Sequence, residues 1–245
     1  MSTLITQAEF DDYAAAWARF IDRAAADEVQ RLFEAPGQQR QNNVGFDLAD
    51  SLVPLLSTVG LRQVVARLVL LPAEVAGDSP RFRVVLCGTD GLGGRISAYY
   101  LGAATWVAAP KALQTDEQPP EVLDGLVSFN LVKVWLRAWM APARQLSPHA
   151  FMTSYGPLQG YNFELSDFTD PLFPVKQPAD PAQRLVLRLY FGLKSYYPAY
   201  PENLAQPRQA FGLVVRLLAP GDKDTDGGGD AGGPSYDMAV PVPPG

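Results

Sequence analysis

The sequence predicts an α+β fold built twice: a helix, a short helix and a three-stranded antiparallel meander, repeated in tandem as two pseudo-symmetric lobes. Three observations predict it. Gly45-Phe46-Asp47-Leu48-Ala49-Asp50-Ser51-Leu52-Val53-Pro54-Leu55-Leu56 returns as Asn162-Phe163-Glu164-Leu165-Ser166-Asp167-Phe168-Thr169-Asp170-Pro171-Leu172-Phe173. Downstream, Val65-Ala66-Arg67-Leu68 is answered by Val186-Leu187-Arg188-Leu189, and Phe82-Arg83-Val84-Val85 by Phe211-Gly212-Leu213-Val214-Val215. Each copy is preceded by a stretch with helical apolar spacing and followed by runs rich in Val and Leu between turn residues. The halves divide as 1–102, a linker at 103–120, and 121–245, arranged like a fused homodimer.

The first helix is expected over 5–34, where Phe10, Tyr13, Ala14, Trp17, Phe20, Ile21 and Ala24 share one face. Thr6 and Glu9 have capping-box spacing, and Pro36-Gly37 ends the element. Gln38 to Val44 then reads as a polar connection. In the repeated element Phe46 and Leu48 lead in extended, and Asp50, like Asp167 in the second copy, caps a short helix running to about Val59. Pro54 and Pro171 must fall in the first turn of that helix, because a deeper proline removes a hydrogen bond and clashes. Gly60 is the expected stop.

Three strands follow in the first copy: Leu61 to Leu71, Arg81 to Gly88 and Arg95 to Leu101, the last two joined by the turn Thr89-Asp90-Gly91-Leu92-Gly93-Gly94. Glu121 to Arg144 repeats the helix with a broader apolar stripe, including Leu126, Phe129, Val132, Leu136, Trp139 and Met140. Arg184 to Leu193, Arg208 to Ala219 and Tyr236 to Val242 are the second set of strands. Trp17, Phe20, Trp135 and Trp139 are read as core.

Arg188-Leu189-Tyr190-Phe191-Gly192, the strand from Phe82 to Gly88 with its turn, and the ending Pro241-Val242-Pro243-Pro244-Gly245 carry a resemblance. They are similar to elements of a family of small uncharacterised bacterial α+β proteins with an Arg-x-Tyr-x-Gly strand, a Val-Gly-x-Asp-x-x-Gly strand and turn, and a Cys-Pro-Pro-x-Cys tail. The resemblance implies the unit's order of elements and brings no activity. Both tail cysteines are missing here, so no metal or redox role of that tail is carried over.

Composition narrows the function. The 245 residues are 47 % apolar, enough for each half to bury a core. A net charge of -6 supplies no clustered basic surface for a phosphate backbone, which argues against nucleic acid. The N-terminal residues lack a basic stretch followed by an apolar one, and no run of about twenty apolar residues occurs. The expectation is a cytoplasmic protein that does not enter a membrane. One cysteine, Cys87, excludes an internal disulfide, and one histidine, His149, removes most hydrolase constellations. Cys87 reads as a core or edge residue, and His149 as a surface or helix-start residue. Gly91-Leu92-Gly93-Gly94 does not match a phosphate-binding fingerprint.

Two stretches are candidate sites. Tyr196, Tyr197 and Tyr200, in a proline-stiffened loop at 194–207, are placed to contact another protein; the same rings would otherwise cover the edge of their own lobe. Asp222, Asp224, Asp226 and Asp230 reproduce most of a calcium loop, with Gly233 where a bidentate glutamate belongs. The other reading of that loop is a solvated Asp/Gly turn. Repeated pairs Asp47/Asp50 and Glu164/Asp167 are read as helix caps. The sequence therefore points to a non-enzymatic binding or structural protein contacting another protein through loops and sheet edges. A calcium-binding module is the alternative, and an enzyme working with carboxylates alone comes third.

Overall fold

A computed structural model describes residues 3–35, 37, 39–108, 129–141, 145–172, 185–196, 208–218 and 240–242. It is an α+β fold in which helices flank two antiparallel sheets. Thr3–Ile5 (β1) leads into Gln7–Arg23 (α1), which opens on the expected capping box: Thr6 Oγ1 accepts from Glu9 N at 3.2 Å, and Glu9 Oε2 accepts from Thr6 N at 2.8 Å. The single helix expected over 5–34 is two. Ala24 is extended, and Glu28 accepts the Ala25 N–H at 2.8 Å to start Ala26–Phe33 (α2). The break swings Val29 and Phe33 into the core that Trp17 and Ile21 already enter.

Glu34–Ala35 (β2) is followed by Gln39–Asp47 (β3), where a polar connection was expected. Arg40, Gln41 and Asn43 make this stretch polar, yet all three are buried. Their partners explain it. Arg40 donates to Glu34 and to the Trp139 carbonyl, and Gln41 Nε2 donates to Phe82 O at 2.9 Å. Next comes a wide helical turn, Leu48–Leu52, running into Val53–Leu56 (α3). Its cap is Asp47 and not Asp50, with Asp47 Oδ1 accepting from Ala49 N at 2.9 Å and Asp50 N at 3.1 Å. Pro54 sits in the first turn of α3, as its ring demands. Gly60, at φ +83°, follows.

Gln63–Leu70 (β4) and Phe82–Thr89 (β5) form a hairpin in register from Gln63↔Thr89 to Leu70↔Phe82, bridged by Ala73–Ala76 (α4). The third strand is only Tyr99–Leu101 (β6), because Asp90 Oδ1 ties the preceding turn by accepting from Leu92 N and Gly94 N. Ala103–Ala108 (β7) occupies the start of the expected linker and pairs with β3, from Gly45↔Ala103 to Gln39↔Ala108.

The second half contains Phe129–Met140 (α5), the small hairpin Met152–Thr153 (β8) and Gly156–Pro157 (β9), and Gly160–Glu164 (β10). Ser166–Thr169 (α6) follows; Leu165 and not Asp167 stands at its cap position, and Asp167, in the first turn, accepts the Glu164 N–H at 3.0 Å. Val186–Tyr196 (β11) and Arg208–Leu218 (β12) make a long hairpin, and Val240–Val242 (β13) closes the described chain. The expected meander of the second copy is not formed among the described residues, since β13 pairs with β10 instead of β12.

The first sheet runs β1-β6-β5-β4-β10-β13 and the second β12-β11-β3-β2, with β7 on the other side of β3. Each sheet therefore mixes the halves: β10 of the second lies against β4 of the first, and β3 of the first against β11 of the second. One face of each sheet turns into a shared core, where Leu68 and Val84 meet Leu189 and Leu213. The opposite faces carry helices. Phe10 and Tyr13 of α1 cover Val65 and Val85, and Val132 and Leu136 of α5 cover Tyr190 and Val214. Trp17, Phe33, Phe82, Trp139, Phe151, Phe191 and Phe211 fill the centre with ring contacts, most of them tilted or edge-to-face.

Candidate binding cleft

Where α2 ends, the chain turns through β2 into β3, and the turn after α4 rises beside it to start β5. Between them opens a cleft of about 610 Å³. Its apolar wall is Phe20 and Leu32 of the helices together with Trp106 of β7. Trp106 is held there by a hydrogen bond from its indole Nε1 to the Asp78 carbonyl oxygen at 3.1 Å. Gly77, at φ +56°, provides the left-handed bend that brings Asp78 to the rim.

The polar lining is of mixed sign. Two acids are committed to the fold: Glu28 caps α2, and Glu34 is ion-paired with the buried Arg40. Asp78 spends its main-chain oxygen on Trp106, while its side chain is exposed. Arg81 anchors itself through Nε to Leu71 O at 3.0 Å. Arg31 pairs with Asp27 one turn earlier on α2. The cleft thus offers an aromatic wall, a carboxylate and guanidinium groups, a set suited to non-covalent contact with a polypeptide.

Of the residues expected to form sites, Tyr196 ends β11 opposite Arg208. Tyr197 and Tyr200 lie outside the described residues, as do Asp222, Asp224, Asp226 and Asp230. Among the described residues no group of three His, Cys, Asp or Glu side chains is placed to hold a metal ion. Cys87 is buried on the outer face of β5 under α1, where burial pushes its thiol up to about 11. His149 is exposed on the short helical turn Pro148–Phe151, where its own N–H donates to Ser147 Oγ at 3.3 Å. Trp17 and Trp139 are core, as expected, whereas Phe20 and Trp135 are only partly buried.

Trp106 falls within the stretch expected as a linker, so its sequence position does not announce a wall residue. The missed signal is Ala103-Ala104-Thr105-Trp106-Val107-Ala108, a charge-free run of small, β-branched and aromatic residues before the polar, proline-containing segment. Set against protein-family models, curated proteins and solved structures, the chain matches none of them.

Proposed function

We propose that this chain is a non-enzymatic binding protein of the cytoplasm, made of two fused copies of one unit, which contacts another protein through its loops and sheet edges. The observation that carries the binding reading is the open cleft walled by Trp106. Two of its carboxylates already serve the fold, and an indole held at its rim by a main-chain carbonyl offers a rigid contact surface. Among the described residues β7 pairs only with β3 and is an edge strand of its sheet, and its Trp106 lines the cleft.

Equivalent contacts support the duplication. The Trp17 indole donates to Leu158 O at 2.8 Å, and the Trp139 indole to Gln41 O at 2.9 Å. Leu158 and Gln41 occupy the same place ahead of the matched Asn162 and Gly45. Phe33 lies 4.9 Å from Phe82, and Phe151 lies 4.8 Å from Phe211. Leu70 faces Phe82 as Leu193 faces Phe211, and Ala103 faces Gly45 as Val240 faces Asn162. On this reading the strand match moves by two residues. Phe163 faces Val64 and Phe46 faces Leu187, which sets Val64 level with Leu187.

The test is a photo-crosslinking side chain at Ser79, on the cleft, and another at His149 as a surface control. A protein partner is expected to be trapped from Ser79 alone, and Trp106→Ala should reduce trapping at least tenfold while leaving the melting temperature within about 2 °C. Equal trapping from both positions, or trapping unchanged by Trp106→Ala, would reject the cleft as the contact surface.

A further inference from the structure

We infer that the two halves are obligate partners: each presents strand edges and an apolar face that the opposite half covers, so the assembled fold does not depend on the chain being continuous between them. The pairing is reciprocal. From the first half, β3 gives five residues, Asn43 to Asp47, to β11; from the second, β10 gives five, Gly160 to Glu164, to β4. Main-chain bonds extend both junctions, Leu68 N to Gln159 O at 2.8 Å and Leu48 N to Leu185 O at 3.1 Å.

The polar contacts cross in both directions as well. The Trp17 indole of the first half is satisfied by Leu158 O of the second, and the Trp139 indole of the second by Gln41 O of the first. Arg40 is buried, and its guanidinium donates across the boundary to the Trp139 carbonyl. Leu146 N donates to Gln30 Oε1 at 2.8 Å, and Arg67 Nη1 to Gln159 Oε1 at 3.2 Å.

Taken alone, either half loses the neighbour of an interior strand and opens the shared core. Phe33 stacks on Phe151 at 5.6 Å with nearly parallel planes, so each half holds one ring of a pair at the boundary. Buried indoles and main-chain N–H groups would lose their acceptors, and an unsatisfied buried donor costs more than its bond contributes. Long unpaired strand edges with an apolar face are what drive chains to pair. The partner that fits a half is therefore a chain with the strand pattern of the opposite half. This holds independently of common ancestry and of the binding role proposed above.

The experiment uses the full chain with a protease recognition sequence inserted between residues 109 and 128 and cut after purification. Two fragments are expected on a denaturing gel. Under native conditions they should elute together at the position of the uncut chain, with its circular dichroism unchanged. Fragments that elute apart, or that precipitate on cutting, overturn the inference. A second measurement needs no insertion. Gln63 and Glu164 face each other across β4 and β10, with Gln63 Nε2 to Glu164 Oε1 at 3.3 Å. Facing antiparallel residues have Cα separations that suit a disulfide. Q63C/E164C should therefore crosslink on oxidation and raise the melting temperature by about 10 °C, since the bond closes a loop of about a hundred residues. Failure to crosslink, or a crosslink that lowers the melting temperature, overturns the inference too.

Discussion

Arg83 projects from the outer face of β5 with 7 % of its surface exposed, and donates from Nη1 to the Phe82 carbonyl oxygen at 3.1 Å. Burial lowers its pKa to about 10, and among the described residues it has no ion pair. A charge taken out of water without a counterion costs stability. The depressed value means the folded chain carries that cost throughout the range below about pH 10, and sheds it only as pH rises further. Arg83→Met is accordingly expected to stabilise by about 1 kcal/mol, a rise of about 2–4 °C in melting temperature. The gain should be the same at pH 5 and pH 8. A gain that grew toward acid would reveal a carboxylate partner, and a loss would show that the guanidinium is held favourably. Nothing in Phe82-Arg83-Val84-Val85 announces this, because an alternating strand can place an arginine in solvent as readily as under a helix. Thr6 and Glu9 are the opposite case: a cap is a contact between near neighbours, and their spacing was enough to read it.

The elements divide along the same line. The start of α1, the β4–β5 hairpin, the β11–β12 hairpin and the short helix after the repeated Phe-Asp/Glu motif all lie where periodicity and turn residues place them, within a few residues, whereas the break at Ala24 that splits the first helix does not. Strand β3 does not, because Gln39-Arg40-Gln41-Asn42-Asn43 is as polar as a loop. It is a strand because its side chains find partners in α5, in β2 and in the first residue of β5. Strand β10 depends just as much on its neighbour. A Cβ at Gly160 would run into the Ala66 carbonyl of β4, so the close approach of the two strands requires glycine there. Gly160→Ala should cost about 3 kcal/mol in chemical denaturation by forcing the pair apart. Gly91→Ala is the control, since its Cβ would meet only Arg62 Cγ at 3.9 Å, and is expected within about 0.5 kcal/mol of the parent. Equal costs at the two sites would mean that the β10–β4 junction is not tight.

At the scale of the whole molecule, the shared core predicts a single unfolding unit. Tryptophan emission reports on the centre through Trp17 and Trp139, and far-ultraviolet dichroism on all elements. The two melting curves should coincide, whereas halves with separate cores would give two steps or curves displaced from one another. No helix among the described residues is long and apolar enough to cross a membrane. The sequence by itself determined where the first helix starts, where the two long hairpins lie, that a motif recurs, and where the first cap and most of the large core rings fall. Those are properties of spacing, and spacing acts between residues close in the chain. Which strand lies beside which was decided only by the tertiary structure. The edges of β3 and β4 are chemically alike, every main-chain group bonds equally well to any strand in register, and a recurring motif offers more than one partner for each. What selects the crossed pairing is closure of one core around Phe33, Phe82, Phe151 and Phe211, with the two indoles reaching across to carbonyl oxygens of the opposite half, and those indole contacts join residues 98 and 141 positions apart.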